Sequence, residues 1–459
     1  MFITVLLLCC LAAVLLYTHL HDVDTDDTDT SNINDKSTSG TDAEHYGSGE
    51  IFSSGISSSR ISANDFSSDN ISSDNSSRQT ILSMGAAPGT IYISWKGSGL
   101  EPQYVQVSQS KEDIGRAELI EGTYEKTLNG RYYRYTVRID GLEPGSTYYY
   151  QIGDGENFDS PQEFTVPEDD DGCTFLYLGD VQFDVSQAEY EDWGDMTEDI
   201  YSRNPQIQFA IIGGDMVNVT RREEQWNAFL ENCGVFRSIP LMTVSGNHEG
   251  ESSNRIYRKM FAVADNGPDD DELKGDFYYF DCGNCRFVMT DSSFLTDERM
   301  EELGEDRWEE CEKKIEEWLR STLASSDKTW KIVTAHHPPY GLHDNDTVSP
   351  QLRELWVPIL EEEGTDLVLC GHQHTYMRTK EINGITYVMG NSGSMESEFY
   401  NGLNAPMYCM EVYAEGANYQ IIEADSRQLK VSSYDKSGLR IDEVCIGKSS
   451  WLDFFRKVL

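Results

Sequence analysis

Five short stretches of this chain end an apolar run in residues able to bind a cation. They are Gly179-Asp180-Val181-Gln182, Gly214-Asp215-Met216-Val217-Asn218, Gly246-Asn247-His248-Glu249, Val333-Thr334-Ala335-His336-His337 and Gly371-His372-Gln373-His374. Asp215 shows the pattern most plainly. Phe209-Ala210-Ile211-Ile212 reads as a buried strand, and Gly213-Gly214 lets the backbone turn tightly. The carboxylate therefore stands just past the carboxyl end of a strand, where open α/β sheets build their sites. A Gly-Gly-Asp alone is an ordinary turn, and a His-x-His alone is more often incidental. All five in order, each after an apolar strand, make a set of carboxylate, amide and imidazole donors. Such a set suits borderline divalent ions: zinc, manganese or iron(II).

Strands and helices alternate along the part of the chain that carries these blocks, as they do in α/β proteins. Strands are predicted at 174–178, 209–212, 241–244, 286–290, 332–335, 367–370 and 386–389, and helices at 187–202, 222–230, 309–323 and 351–362. The last helix rests on Leu352, Leu355, Ile359 and Leu360 at helical spacing. Paired β segments follow to about residue 446. Ahead of the blocks, residues 80–166 alternate like strands and contain no titratable cluster. Their turn Leu142-Glu143-Pro144-Gly145, leading into Tyr148-Tyr149-Tyr150, resembles the fibronectin type III corner, where a tyrosine hydroxyl ties down the turn. Cys282-Gly283-Asn284-Cys285 reads as a type II′ hairpin turn with Gly first, since no second pair supports a redox or zinc role. The expected fold class is α+β or α/β. A fibronectin III-like β-sandwich (80–166) is followed, after the acidic linker Glu168-Asp169-Asp170-Asp171, by a βαβ-built β-sandwich flanked by helices (172–447).

The 459 residues carry a formal net charge of −44. A chain this acidic repels phosphate backbones, so nucleic acid is not an expected partner. A small phosphate remains compatible, because bound metal ions would reverse the local sign. Residues 1–20 contain an uncharged apolar run that fits a signal peptide or a slightly short membrane anchor, with Cys9 and Cys10 inside it. No Lys or Arg precedes the run and no clear cleavage site follows it. An extracytoplasmic protein is therefore expected, secreted or membrane-anchored at the cell surface, with the form of attachment left open. Residues 21–79 are rich in Ser, Asp, Asn, Thr and Gly and cannot bury enough surface to offset their ordering entropy; a disordered stalk is expected. In the tail 448–459, Trp451, Leu452, Phe454 and Phe455 are apolar enough to dock on the body or touch a membrane. The spacing of the other cysteines gives no disulfide framework.

Taken together, the five blocks resemble the metallophosphoesterase (calcineurin-like phosphoesterase) superfamily. The β-sandwich before them resembles that of purple acid phosphatases and their bacterial relatives, so the likeness spans residues 80 to about 446. It implies a pair of metal ions bridged by Asp215. Asp180 and His374 would hold the first, and Asn247, His336 and His372 the second. His248 would face the substrate phosphate as a donor or proton source. His343, in Gly341-Leu342-His343-Asp344, resembles the second substrate histidine of the family. His337 either reaches the site or supports it from behind.

Two departures from the family pattern bear on the metals. Purple acid phosphatases place a metal-binding Tyr three residues after the bridging Asp, and this chain has Asn218 there, so no tyrosinate-to-iron charge transfer and no purple colour is expected. Other superfamily members complete the first site with the His of an Asp-x-His, and this chain has Gln182. Its neutral carbonyl either ligates the metal or only hydrogen-bonds a metal-bound water. Two divalent ions, the first more weakly bound, are expected rather than an iron(III)-containing pair. Asn218-Val219-Thr220 is also a glycosylation sequon, and a glycan there would block the site. Either the chain never meets that machinery or the sequon is skipped.

The implied reaction is acid phosphatase-like hydrolysis of phosphate monoesters by a metal-bound hydroxide, with His248 or His343 protonating the leaving alkoxide. A phosphodiesterase or nucleotide pyrophosphatase could use the same metals, with the leaving group selected by loops such as 265–273. The non-enzyme alternative is a surface-binding protein with a relict metal site. The expected partner is a small phosphate ester, with N-terminal membrane attachment as an open alternative.

Overall fold

Strands buried on both faces read as near-continuous apolar runs, and Phe209–Ile212 and Leu367–Cys370 are apolar throughout, while Arg286 and Lys331 stand near the amino ends of their strands. The computed structural model describes residues 78–97, 101–127, 132–183, 186–250, 256–343, 347–395 and 405–448. Leu241–Thr243, Phe209–Ile212 and Cys173–Leu178 run side by side in parallel. Asn418–Ala424, Gln428–Asp435 and Arg440–Gly447 extend this sheet antiparallel to six strands. A second sheet of seven strands holds Cys285–Thr290, Trp330–Ala335, Leu367–Cys370 and Thr386–Met389 in parallel.

The pleat divides each strand between two cores. Phe209 and Ile211 point into the space between the sheets, while Ala210 and Ile212 pack under helices. Phe287 and Met289 likewise face inward, and Val288 faces the opposite helical layer. Between the sheets Phe175 stacks on Phe209 at 5.2 Å and Phe280 on Phe287 at 4.8 Å, and Phe175 meets Phe287 edge-on at 5.1 Å. These are the offset and T-shaped geometries that aromatic quadrupoles favour.

Gln187–Arg203 and Glu223–Glu231 cover the outer face of the six-stranded sheet through Tyr190, Trp193, Trp226 and Phe229. Glu305–Ala324 and the segment 348–362 cover the other sheet. The single helix expected at 351–362 is interrupted. Val348–Gln351 and Val357–Glu362 are α-helical, and Leu352–Trp356 between them is a π turn. Pro358 has no N–H to offer the carbonyl of Glu354, and a wider turn accommodates the missing bond. Leu355, placed on the apolar face by spacing, is consequently only half-buried.

The N-terminal strands form two four-stranded antiparallel sheets. Trp95 and Tyr135 stack at 5.6 Å in their core. The tyrosine corner is present: the Tyr148 hydroxyl accepts the Glu143 backbone N–H at 3.0 Å. This domain sits on the second through Tyr150, whose hydroxyl donates to the Arg237 carbonyl at 3.0 Å, and Lys96, which donates to Asn227 at 2.7 Å. Gly283 takes φ +54° at the first turn position of the Cys282–Cys285 hairpin. The eight cysteines from Cys173 to Cys445 are free thiols. The apolar run of residues 1–20, most of the 21–79 stalk and the tail from Ser449 onward lie outside the described residues. No described helix is long and apolar enough to cross a membrane.

Candidate metal centre

Because the central strands are parallel, their carboxyl ends meet along one edge of the paired sheets, and the five blocks meet there. Backbone bonds stitch the blocks together. The N–H groups of Val181 and Gln182 donate to the Asp215 carbonyl at 3.1 and 2.7 Å. The His372 N–H donates to both Asp180 oxygens at 2.9 and 2.8 Å, and His336 Nδ1 contacts the Gly213 carbonyl at 2.8 Å. Asp215, His372 and His374 have φ of +51°, +75° and +49°. Left-handed backbone is uncommon outside glycine, and its clustering at one place marks a functional constraint. Two glycines make room for the ligands. A Cβ on Gly214 would lie 2.6 Å from His336 Nδ1, and one on Gly246 would lie 2.0 Å from Asp215 Oδ1.

The donor atoms converge in two groups. His336 Nε2 lies 3.0 Å from Asp215 Oδ2 and 3.1 Å from Asn247 Oδ1, and Asn247 Oδ1 lies 3.0 Å from His372 Nδ1. Ligand atoms of Asp215, His336 and His372 all fall within 4.8 Å of one another. On the other side, His374 Nε2 is 3.8 Å from Asp180 Oδ1 and 2.8 Å from Gln182 Nε2. His336 Nε2 is 4.0 Å from Asp180 Oδ1 and links the groups.

This donor set fits a pair of cations. Asp180 and Asp215 are 0% and 1% exposed, and among the described residues no Lys or Arg pairs with either. Buried carboxylates without a counter-charge are costly, and a metal supplies one. Burial alone would raise the Asp215 carboxyl, but the charge and hydrogen bond of His336 outweigh it and hold the group well below the usual carboxylate range. His336 is correspondingly pushed far above an ordinary imidazole: burial opposes its charge, and Asp215 and Asp180 overcome it. A proton on His336 thus stands where a cation would. Gln182 Oε1 is buried and accepts no hydrogen bond, so its carbonyl is available as a ligand.

The histidines expected to touch substrate are placed differently from one another. His248 is half-buried. Its backbone N–H donates to Asp215 Oδ1 at 3.0 Å, its Nδ1 contacts the Asn218 carbonyl at 2.8 Å, and its Nε2 lies 4.0 Å from Asp215 Oδ2. Asn218, at the position of the family tyrosine, therefore orients His248 through its main chain. Thr220 of the sequon is buried. His337 is 2% exposed, bonded through Nδ1 to Ser292 Oγ at 2.9 Å, with its ring 4.2 Å from that of His372. His343 is positioned by Gln373, whose amide accepts the Leu342 N–H at 2.7 Å and donates to the His343 carbonyl at 2.9 Å.

Sequence reasoning missed the part played by Glu249. This buried carboxylate accepts the backbone N–H groups of Asp215, Met216, Val217 and Gly246 at 2.8, 2.9, 3.1 and 3.0 Å. Burial and the charge of Asp215 push its carboxyl up to about 7, against the pull of those N–H groups. The only signal was its place directly after Asn247-His248.

Comparison with known proteins agrees with this architecture. Residues 173–376 match the calcineurin-like phosphoesterase family model, and residues 77–166 match that of the purple acid phosphatase N-terminal domain. The chain thus joins a purple acid phosphatase N-terminal domain to a calcineurin-like phosphoesterase domain. An uncharacterized protein of Mycobacterium tuberculosis is 28% identical over 192 residues, covering 38% of this chain and 35% of that protein. Purple acid phosphatase 15 of Arabidopsis thaliana is 25% identical over 325 residues, covering 60% and 56%. The matches thus span only 35% and 56% of the length of these relatives. Among solved structures, purple acid phosphatase PPD1 from yellow lupin (Lupinus luteus) seeds has a TM-score of 0.63 at 18% identity, covering 82% of this chain and 75% of its own. PhoD has a TM-score of 0.60 at 12% identity, covering 84% and 94%. At these identities the likeness is one of fold.

Proposed function

We propose that the protein is a two-metal phosphoesterase acting on phosphate monoesters. The observation that carries this reading is the pair of buried carboxylates, Asp180 and Asp215, set among imidazole and amide donors with no Lys or Arg among the described residues to neutralise them. Asp215 would be shared between the two ions, with Asp180, Gln182 and His374 available to hold the first and Asn247, His336 and His372 the second. The carboxylate, amide and imidazole donors suit zinc, manganese or iron(II). When bound, such a pair supplies an acidified water and stabilises both the attacking and the leaving oxygen.

The chain's own groups do the rest. His248, fixed through Nδ1 by the Asn218 carbonyl, keeps Nε2 for a phosphoryl oxygen or for the departing alkoxide. Gln373 holds the His343 segment against the strand end that carries His372 and His374. His337, bound to Ser292 and packed on His372, acts as a positioning residue. With Asn218 in place of a phenolate, the metal-loaded protein lacks a tyrosinate absorption band. The apolar run in residues 1–20 supports a place outside the cytoplasm, which fractionation of the expressing cell tests.

The deciding experiment strips the protein with a chelator and restores it with manganese or zinc. Rates on nitrophenyl phosphate and bis(nitrophenyl) phosphate are then compared. Metal-dependent turnover favouring the monoester supports the reading. Preference for the diester turns it to a phosphodiesterase, and no turnover on either substrate removes it.

A further inference from the structure

We propose that the cavity beside Asn247 seats the leaving group, and that it selects a polyhydroxylated alcohol bearing a second anionic group, held by Arg221. The inference rests on the phosphoesterase reading above. The cavity has a volume of about 450 Å³ and is lined by Arg221, Asn247, Ser293, Glu298 and Glu302 among others. Asn247 belongs to the metal donors, so a phosphoryl group bound there has this space available for its ester substituent. A volume of this size is in the range of small-molecule clefts and admits a sugar or nucleoside.

The chemistry of the wall narrows the class. Among the described residues no aliphatic or aromatic side chain lines the cavity, which disfavours a phenol or a lipid chain. Ser293 is only 5% exposed, and its Oγ has no hydrogen-bond partner. A buried hydroxyl left unpaired is costly, and a hydroxyl of a bound ligand would pair it. The oxygen is closed off where it stands, so a ligand hydroxyl pairs with it once the Ser293 side chain turns toward the cavity.

The two cations of the wall are not equivalent. Arg299 is committed to Glu272 at 2.8 Å and to Glu302. Arg221 is exposed and, among the described residues, makes no ion pair, in a chain whose net charge is −44. A guanidinium fork matches phosphate or carboxylate bidentately. Glu298 and Glu302 can accept from ligand hydroxyls. The loop 265–273, expected from sequence to choose the leaving group, meets the wall of this cavity through the Glu272–Arg299 pair. Its Asp270 is instead turned to Arg307 and Lys314.

The test compares manganese-loaded wild type, Arg221→Ala, Arg221→Lys and Ser293→Ala on fructose 1,6-bisphosphate and nitrophenyl phosphate. For Arg221→Ala, the ratio of kcat/KM between bisphosphate and nitrophenyl phosphate should fall about 10–100-fold, chiefly through KM, as expected for one charge-assisted contact. Arg221→Lys should recover part of the loss, and Ser293→Ala should lower the ratio by about 5-fold. A ratio unchanged in Arg221→Ala overturns the proposal. Binding of the bisphosphate and of inorganic phosphate to the same proteins is measured by calorimetry. If wild type turns over neither ester, the phosphoesterase reading has failed on its own and calorimetry decides this inference. Bisphosphate affinity weakened about 10-fold relative to phosphate in Arg221→Ala supports it, and equal changes sink it.

Discussion

Replacing Glu249 by Gln asks whether the turn carrying Asp215 is organised by one buried carboxylate. Oε1 accepts from Met216 and Val217, and Oε2 from Asp215 and Gly246. Glutamine has the same shape but only one acceptor oxygen. Whichever way its amide is set, the NH₂ group opposes two backbone N–H donors and two hydrogen bonds are lost. Each buried donor left unpaired costs about 1–3 kcal/mol, so the loss amounts to about 2–6 kcal/mol. A neutral amide recovers part of this, because burial and Asp215 already disfavour the charge on Glu249. A net destabilisation of about 2–3 kcal/mol remains, a fall of several degrees in the unfolding midpoint. The larger consequence is for metal binding, since side chains behind the ligands typically contribute about 10–100-fold in affinity. Chelator titration of wild type and Glu249→Gln, with thermal unfolding in parallel, reads both effects. Coincident titration curves would refute the link between Glu249 and the metal-binding carboxylate, even if the midpoint fell.

Other perturbations probe separate parts of the account. Asp291 is buried, and burial together with Asp276 pushes its carboxyl up to about 7. A folded-state value raised above the ordinary 3.8 means that the native state binds the proton more tightly, so this contribution is complete below about pH 4 and is lost as pH rises through 7. Asp291→Asn should therefore gain on wild type by up to about 4 kcal/mol between pH 4 and 8, and parallel stability curves would dismiss the assignment. Gln182→His should tighten the first metal position if the Gln182 carbonyl is a ligand; an unchanged chelator titration would show that it is not. Tyr148→Phe should cost about 1 kcal/mol in chemical denaturation, the worth of one hydrogen bond at the corner, and a neutral result would remove that role.

The strands and the convergence of most donors of the candidate metal centre were legible because each depends on local sequence. An apolar run followed by Gly-Asp or Gly-His announces both a buried strand and what stands at its end, as at Asp180, Asp215 and His372, and His336, directly after the strand ending in Ala335, is brought together with them. The corner at Tyr148 was equally local, with turn and tyrosine a few residues apart. What escaped depends on contacts between distant segments. Glu249 is one of 80 acidic residues, and nothing in its sequence neighbourhood tells that four N–H groups from two loops converge on it. Gln373 lay inside a recognised block, yet its hold on Leu342 and His343 crosses 30 residues or more. The cavity of Arg221 and Ser293 draws its walls from separated loops, which periodicity cannot register. The π turn before Pro358 was readable in principle, since a proline inside a helical pattern announces a missing N–H.

The most direct test of the central claim joins metal content to turnover in wild type and Asp215→Asn. The account predicts two ions per wild-type chain, a phosphomonoesterase rate that disappears on chelation and returns with metal, and loss of both ions and rate in the variant. An Asp215→Asn protein that hydrolyses phosphate esters at the wild-type rate, or a stripped wild type that keeps its activity, would contradict it.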